Sequence, residues 1–228
     1  MKKALKQAIG ALSGIAFPQI CICCNNELHS EDAYLCDLCR LERFEPAGRE
    51  EILILPEGVE FMHAMWNFDK GDYLQHLLHK LKYDYLKGVG RELGREMARD
   101  FLSCGITVNI ADPLIVPVPL HPSKQRKRGY NQAAALAEGF ARRSGWKVVE
   151  DSDVVRVKKT TTQTGLNSSQ RTANLKNAFF VANRELIKDK FTIIVDDVYT
   201  TGATTFELAA VLREAGSAGS GIVTVAKA

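Results

Sequence analysis

The segment FTIIVDDVYTTGAT, residues 191–204, constrains the fold of this 228-residue chain more than any other stretch. An apolar run closed by two adjacent carboxylates and a turn rich in Thr and Gly predicts a strand buried on both faces. Such strands belong to parallel sheets covered by helices. A helix, TFELAAVLREAG, begins just after the turn. Open parallel sheets bind ligands beyond the carboxyl ends of their strands. The turn gathers backbone N–H groups, the hydroxyls of Thr200, Thr201 and Thr204, and the positive end of a helix dipole at one point. That point suits a phosphate, with Asp196 and Asp197 accepting from sugar hydroxyls or holding Mg²⁺. An acidic helix cap in an ordinary turn is the plainer reading, yet one aspartate would serve for that. The Gly-Lys-Ser/Thr of a Walker loop is missing, as are the Rossmann glycines.

The remaining periodicity agrees with an α/β class. FMHAMWNF (61–68) and LIVPVPL (114–120) read as strands, as do stretches near 146–149 and 154–157. Helices are predicted over 71–86, 91–104 and NQAAALAEGFARR. Strands alternating with helices argue for a mostly parallel sheet with both faces covered. Apolar residues make up 46% of the chain, enough for one domain core plus a small appendage. His76 and His79 lack a carboxylate or third histidine at ligand spacing, so they are not read as a metal site.

The appendage lies at the N-terminal end. Five of the six cysteines fall between positions 21 and 39, a crowding that favours metal ligation over a disulfide framework. Cys21 and Cys24 form one C-x-x-C, Cys36 and Cys39 a second, with eleven residues between the pairs. Two such turns can offer four thiolates to Zn²⁺ in a closed tetrahedron, a structural site with no open position for chemistry. A set using Cys23 or His29 is the alternative, and a redox C-x-x-C is the competing chemistry. Ahead of it, MKKALKQAIGALSGIAFP combines a basic start with an apolar stretch, which raises a secretory signal. Leu5, Ala8, Ile9, Leu12, Ile15 and Ala16 recur at helical spacing, so an amphipathic helix ended by Pro18 is preferred. No stretch approaches the length needed to span a bilayer, and a cytoplasmic protein is expected. Residues 42–60 read as a connection, giving an N-terminal unit over 1–45 and a main domain over 60–228.

Two basic runs complete the pattern, although the net charge is only +3. Lys124, Arg126, Lys127 and Arg128 lie within five residues, and no acidic residue occurs from Pro113 through Ala137. Arg156 to Arg184 contains six cations and no carboxylate. Either run would attract a pyrophosphate or a nucleic-acid backbone; a solvated basic face is the bland alternative. Tyr130, Phe179 and Phe180 are the nearest aromatics for base stacking.

TIIVDDVYTTGAT resembles the phosphoribosyl pyrophosphate loop of type I phosphoribosyltransferases, with Tyr199 where an aliphatic residue is commoner. VPVPLHPSKQRKRGYNQA (116–133), TTTQTGLNSSQRTANLKNAF (160–179) and the cysteine module extend the resemblance to the ComF family, also named for its GntX members, over nearly the full chain. The resemblance implies a zinc ribbon before a type I phosphoribosyltransferase-like parallel sheet, and a role in handling incoming DNA during natural transformation. It also implies that 117–128 is the pyrophosphate loop and that the Thr- and Gln-rich start of 160–179 is a mobile flap.

On that basis Asp196 and Asp197 are the candidate catalytic residues. Together with Thr200, Thr201, Gly202, Ala203, Thr204, Lys124, Arg126, Lys127 and Arg128 they form the expected phosphoribosyl pyrophosphate site, with Mg²⁺ as cofactor. Lys124, Arg126, Lys127, Arg128, Lys158, Lys159 and Arg171 are the candidate nucleic-acid contacts. One expectation is a binding protein for single-stranded DNA, partnered by a DNA-uptake helicase and using phosphoribosyl pyrophosphate as a regulator or a vestige. The other is an active phosphoribosyltransferase acting on a base or amine in nucleotide metabolism or salvage; no acceptor pocket is visible in the residues. A zinc-ribbon transcription regulator ranks behind both, since no recognition helix or dimerising repeat is apparent.

Overall fold

The computed structural model describes residues 19–28, 33–48, 54–69, 72–83, 86–106, 112–158 and 176–228. The expected N-terminal helix and the body of the flap, with Lys159 and Arg171, lie outside them, as does His29. A π-helical turn, Cys39–Arg43, leads from the second cysteine pair into the main body. There follow β1 (Val59–Asn67), α1 (Tyr73–Tyr83), α2 (Lys87–Ser103), β2 (Leu114–Pro117), α3 (Pro122–Arg128) and α4 (Gln132–Ser144). The second half runs β3 (Lys147–Val148), β4 (Val154–Arg156), β5 (Phe179–Val181), α5 (Arg184–Ile187), β6 (Phe191–Tyr199), α6 (Ala203–Glu214) and β7 (Gly219–Lys227).

Five strands form a parallel sheet in the order β1-β7-β6-β2-β3. The expected α/β class is therefore found, with β6 at the centre. Its side chains alternate between two cores. Ile193 and Val195 point into the core shared with α1, α2 and α4, whereas Ile194 joins the core beneath α6 with Leu208 and Leu212. Carried two residues further, the same alternation sends Asp197 toward the α1 side and Asp196 toward the α6 side.

The pair α2 and α4 crosses at unusually close range. A Cβ added at Gly94 would lie 2.0 Å from the Leu136 carbonyl oxygen, and one at Gly139 would lie 2.1 Å from that of Arg91. Only glycine lets the two backbones approach in this way, and the crossing sets the slab that backs the sheet.

Two segments differ from the sequence reading. The stretch 154–157 does form a strand, but it pairs antiparallel with β5 as a separate two-stranded ribbon rather than joining the parallel sheet. The segment 117–128, expected as a loop, folds over its second half into α3: Pro122 starts the helix, His121 caps it by accepting from the Ser123 amide, and left-handed Gly129 ends it.

Candidate functional site

The loop after β6 builds one wall of the site. Gly202 occupies the N-cap of α6 with φ 73°, so the first turn of that helix has no side-chain cap for its amides. A Cβ there would stand 2.5 Å from the Phe206 ring and 2.8 Å from the Tyr199 hydroxyl. Tyr199, the residue that departs from the usual aliphatic, is buried and meets Phe206 edge to face at 6.0 Å. It supports the turn from behind.

This turn opens on a cavity of about 290 Å³. Asp196, Asp197 and residues 200–205 line it on one side, so the expected residues Thr200, Thr201, Gly202, Ala203 and Thr204 are brought together. Lys124 and Arg128 of α3 reach it from the other, one helical turn apart on the same face. Arg126 and Lys127 do not line the cavity; they lie on the exposed side of α3. The four expected cations are therefore split two and two. Arg128 also donates to the Gln132 side chain at 2.8 Å, which fixes its guanidinium at the rim.

Two lining residues escaped sequence reasoning. Lys82, from the last turn of α1, places its ammonium 2.5 Å from the Asp197 carboxylate. Arg156 entered only as one end of a basic run; it is buried on the inner side of β4, its guanidinium over the Phe179 ring at 5.3 Å. The signal for Arg156 was alternation in VVRV, which turns Val154 and Arg156 inward together. No sequence signal pointed from Lys82 to Asp197.

The twin aspartates consequently differ in character. Burial raises the Asp196 carboxyl well above the usual carboxylate range, and the charge of Asp197 pushes the same way. Burial acts against ionisation of Asp197 too, but Lys82 outweighs it and holds that carboxyl below its ordinary value. Burial lowers the Arg156 and Lys124 cations, and the charge of Arg156 adds to the effect on Lys124. Four cations facing two carboxylates, one of them readily protonated, leave the cavity positive and suited to a multiply charged anion.

The cysteine module sits behind α1 and α2. The Sγ atoms of Cys21, Cys24, Cys36 and Cys39 all lie within 4.8 Å of one another, with Cys21 to Cys39 at 3.9 Å and Cys24 to Cys36 at 3.5 Å. A zinc tetrahedron with bonds of about 2.3 Å spaces its sulfurs about 3.8 Å apart, so the donor set fits. Burial opposes ionisation of Cys21, yet backbone donors from Cys36, Cys24 and Cys23 bring it down to about 7. Cys23 is not one of these four, and its sulfur lies 3.7 Å from the Tyr73 carbonyl. The module is fastened by Glu92 of α2, a buried carboxylate accepting from the amides of Tyr34 at 2.6 Å and Leu35 at 3.4 Å. Lys80 of α1 adds a bond to the Ile22 carbonyl at 3.0 Å.

No family model matches the chain. Competence protein F of Haemophilus influenzae is 32% identical over 215 residues, covering 86% of this chain and 91% of that protein. The chain belongs to the competence protein F family. The resemblance read from its motifs is borne out. Other family members include the DNA utilization protein YhgH of Escherichia coli, 32% identical over 206 residues with 87% of this chain and 86% of that protein covered. Competence protein ComFC of Streptococcus pneumoniae is 26% identical over 207 residues, with 83% and 86% covered. Among solved structures, the glutamine phosphoribosylpyrophosphate amidotransferase of B. subtilis aligns at 17% identity and a TM-score of 0.38, over 58% of this chain and 25% of that one. Among the described residues no helix is long and apolar enough to cross a membrane.

Proposed function

We propose that this competence protein F family member binds phosphoribosyl pyrophosphate with Mg²⁺ and handles single-stranded DNA during DNA uptake. The observation that carries the first part is the two-walled cavity. Uncapped amides and threonine hydroxyls at 200–205 suit the 5′-phosphate; Lys124, Arg128 and Arg156 opposite them suit the pyrophosphate; Asp196 and Asp197, on the same side as the threonines, suit ribose hydroxyls and the cation. Mg²⁺, when bound, would neutralise phosphate charge beside those two carboxylates. The four cysteines hold a structural zinc in this reading, in a cytoplasm whose reducing poise keeps them from pairing as disulfides and so free to coordinate as thiolates.

The second part rests on the division of the basic segment. Arg126 and Lys127, exposed and outside the cavity, remain available to a phosphodiester backbone, and relatives named for competence and DNA utilization support that use.

Calorimetry with phosphoribosyl pyrophosphate and Mg²⁺ tests the proposal. Saturable uptake with one ligand per chain is expected, weakened at least tenfold by Asp197→Asn; heat no greater than dilution would overturn it. Base- or amine-dependent release of pyrophosphate would establish the transferase reading beside it.

A further inference from the structure

The ribbon of β4 and β5 has two unlike faces. Val154, Arg156, Phe179 and Val181 point inward and are buried. On the outer face, Val155 stands opposite Phe180 in the pairing, and Phe180 is 56% exposed, as is Val157 just beyond the strand. Phe180 and Val157 together leave apolar surface open on the outer face of the ribbon. Its surroundings are basic. Exposed Lys158 and Lys176 lie at the same end of the ribbon, joined by the Lys158 ammonium donating to the Lys176 carbonyl at 3.3 Å. Two carboxylates are oriented by neutral donors: Glu207 accepts from the Asn177 amide at 2.7 Å, and Asp153 from the Asn183 side chain at 3.1 Å.

We infer that Phe180 is a stacking platform for an unpaired base of single-stranded nucleic acid, with Lys158 and Lys176 holding the adjoining phosphates. An aromatic ring beside ammonium groups, on a two-stranded ribbon, is the arrangement by which single strands are gripped without regard to sequence. Charge complementarity favours this occupant over an apolar protein surface, because Lys158 and Lys176 stand exposed at the same end of the ribbon. The inference deepens the DNA-handling half of the proposed function and rests on it. It also gives β4 and β5 a double duty: Arg156 faces the ribose-phosphate cavity on one side while Phe180 meets the strand on the other.

The test titrates a fluorescein-labelled oligothymidylate into full-length wild type, Phe180→Ala, Phe180→Trp and the double variant Lys158→Gln/Lys176→Gln, across a series of salt concentrations. Stacking predicts that Phe180→Ala weakens binding about fivefold or more with the salt slope unchanged, and that Phe180→Trp keeps affinity and gains an emission quenched by the oligonucleotide. The double lysine variant should flatten the slope by about two. If wild type binds the oligonucleotide and Phe180→Ala binds equally well, the stacking inference fails while DNA handling stands. If wild type binds none at any salt, the DNA-handling reading falls and takes the inference with it. Sedimentation of the free proteins closes the remaining route: a wild-type dimer that Phe180→Ala converts to monomer would make the patch a self-association face and overturn the inference.

Discussion

Lys82 and Asp197 form a 2.5 Å ion pair that ties the last turn of α1 to the carboxyl end of β6. Its neighbour in the sequence, Asp196, accepts from the Asp197 amide at 2.9 Å, and the charge of Asp197 bears on its carboxyl. Two adjacent residues of the same type therefore make opposite contributions to stability. Asp197, held below its ordinary value, stabilises the fold above the unfolded carboxylate pKa of about 4, and that stabilisation is lost as pH falls through its folded value. Asp196, raised by burial and by its neighbour, costs stability once pH climbs above about 4 and its ionisation must be met inside the protein.

At pH 7 the variant Asp196→Asn should melt above wild type by about 2–4 °C, since it removes an ionisation that the fold resists. Asp197→Asn should lose about 1–3 kcal/mol, because it leaves the Lys82 ammonium beside a neutral amide. Thermal denaturation at pH 7 and again at pH 4 checks both signs; the gain in Asp196→Asn should shrink at the lower pH. Both variants should weaken Mg²⁺-dependent binding of phosphoribosyl pyrophosphate.

The basic helix α3 should divide by face. Lys124→Gln/Arg128→Gln is expected to weaken phosphoribosyl pyrophosphate at least tenfold, since both side chains line the cavity. Arg126→Gln/Lys127→Gln should leave that affinity unchanged and reduce the salt slope of oligonucleotide binding by about two. Calorimetry and fluorescence anisotropy on the same preparations would show the crossover.

For the cysteine cluster, elemental analysis should find one zinc per chain, retained in Cys23→Ser and lost in Cys39→Ser. Removing the metal with a strong chelator should lower the melting temperature, since so short a module has little apolar core of its own.

The crossing of α2 and α4 should not tolerate a methyl group. Gly94→Ala or Gly139→Ala is expected to cost about 1–3 kcal/mol in urea denaturation. Gly48, around which a Cβ would meet nothing within 4 Å, supplies the control.

Much of this arrangement was legible in the chain. The run before Asp196 and the turn after it announced a buried strand and a helix beginning just beyond it, because local pattern dictates both. Cysteine spacing selected the four sulfurs that the fold brings together. Lys82 was not legible: helical periodicity assigned α1 its leucines, but which exposed lysine reaches Asp197 depends on how that helix lies across the sheet. The split within residues 124–128 was hidden for a related reason. Four cations read as one patch until Pro122 and Gly129 fold them into a helix, after which Lys124 and Arg128 face the cavity and Arg126 and Lys127 face solvent. The ribbon strand β4 was recognised as a strand but not as a separate sheet, since three residues of Val and Arg say nothing of their partner.

Helix α1 is eleven residues long, and two of its lysines, one position removed from being neighbours, grip different parts of the molecule. Lys80 holds the first cysteine knuckle through Ile22, and Lys82 holds the acidic floor of the cavity through Asp197. A stiff rod fastened at both sides transmits displacement instead of absorbing it. Loosening the knuckle, by stripping a bound zinc or oxidising its thiols, is therefore expected to slacken the grip on the carboxylate, as Lys80 and Lys82 lie on one helix.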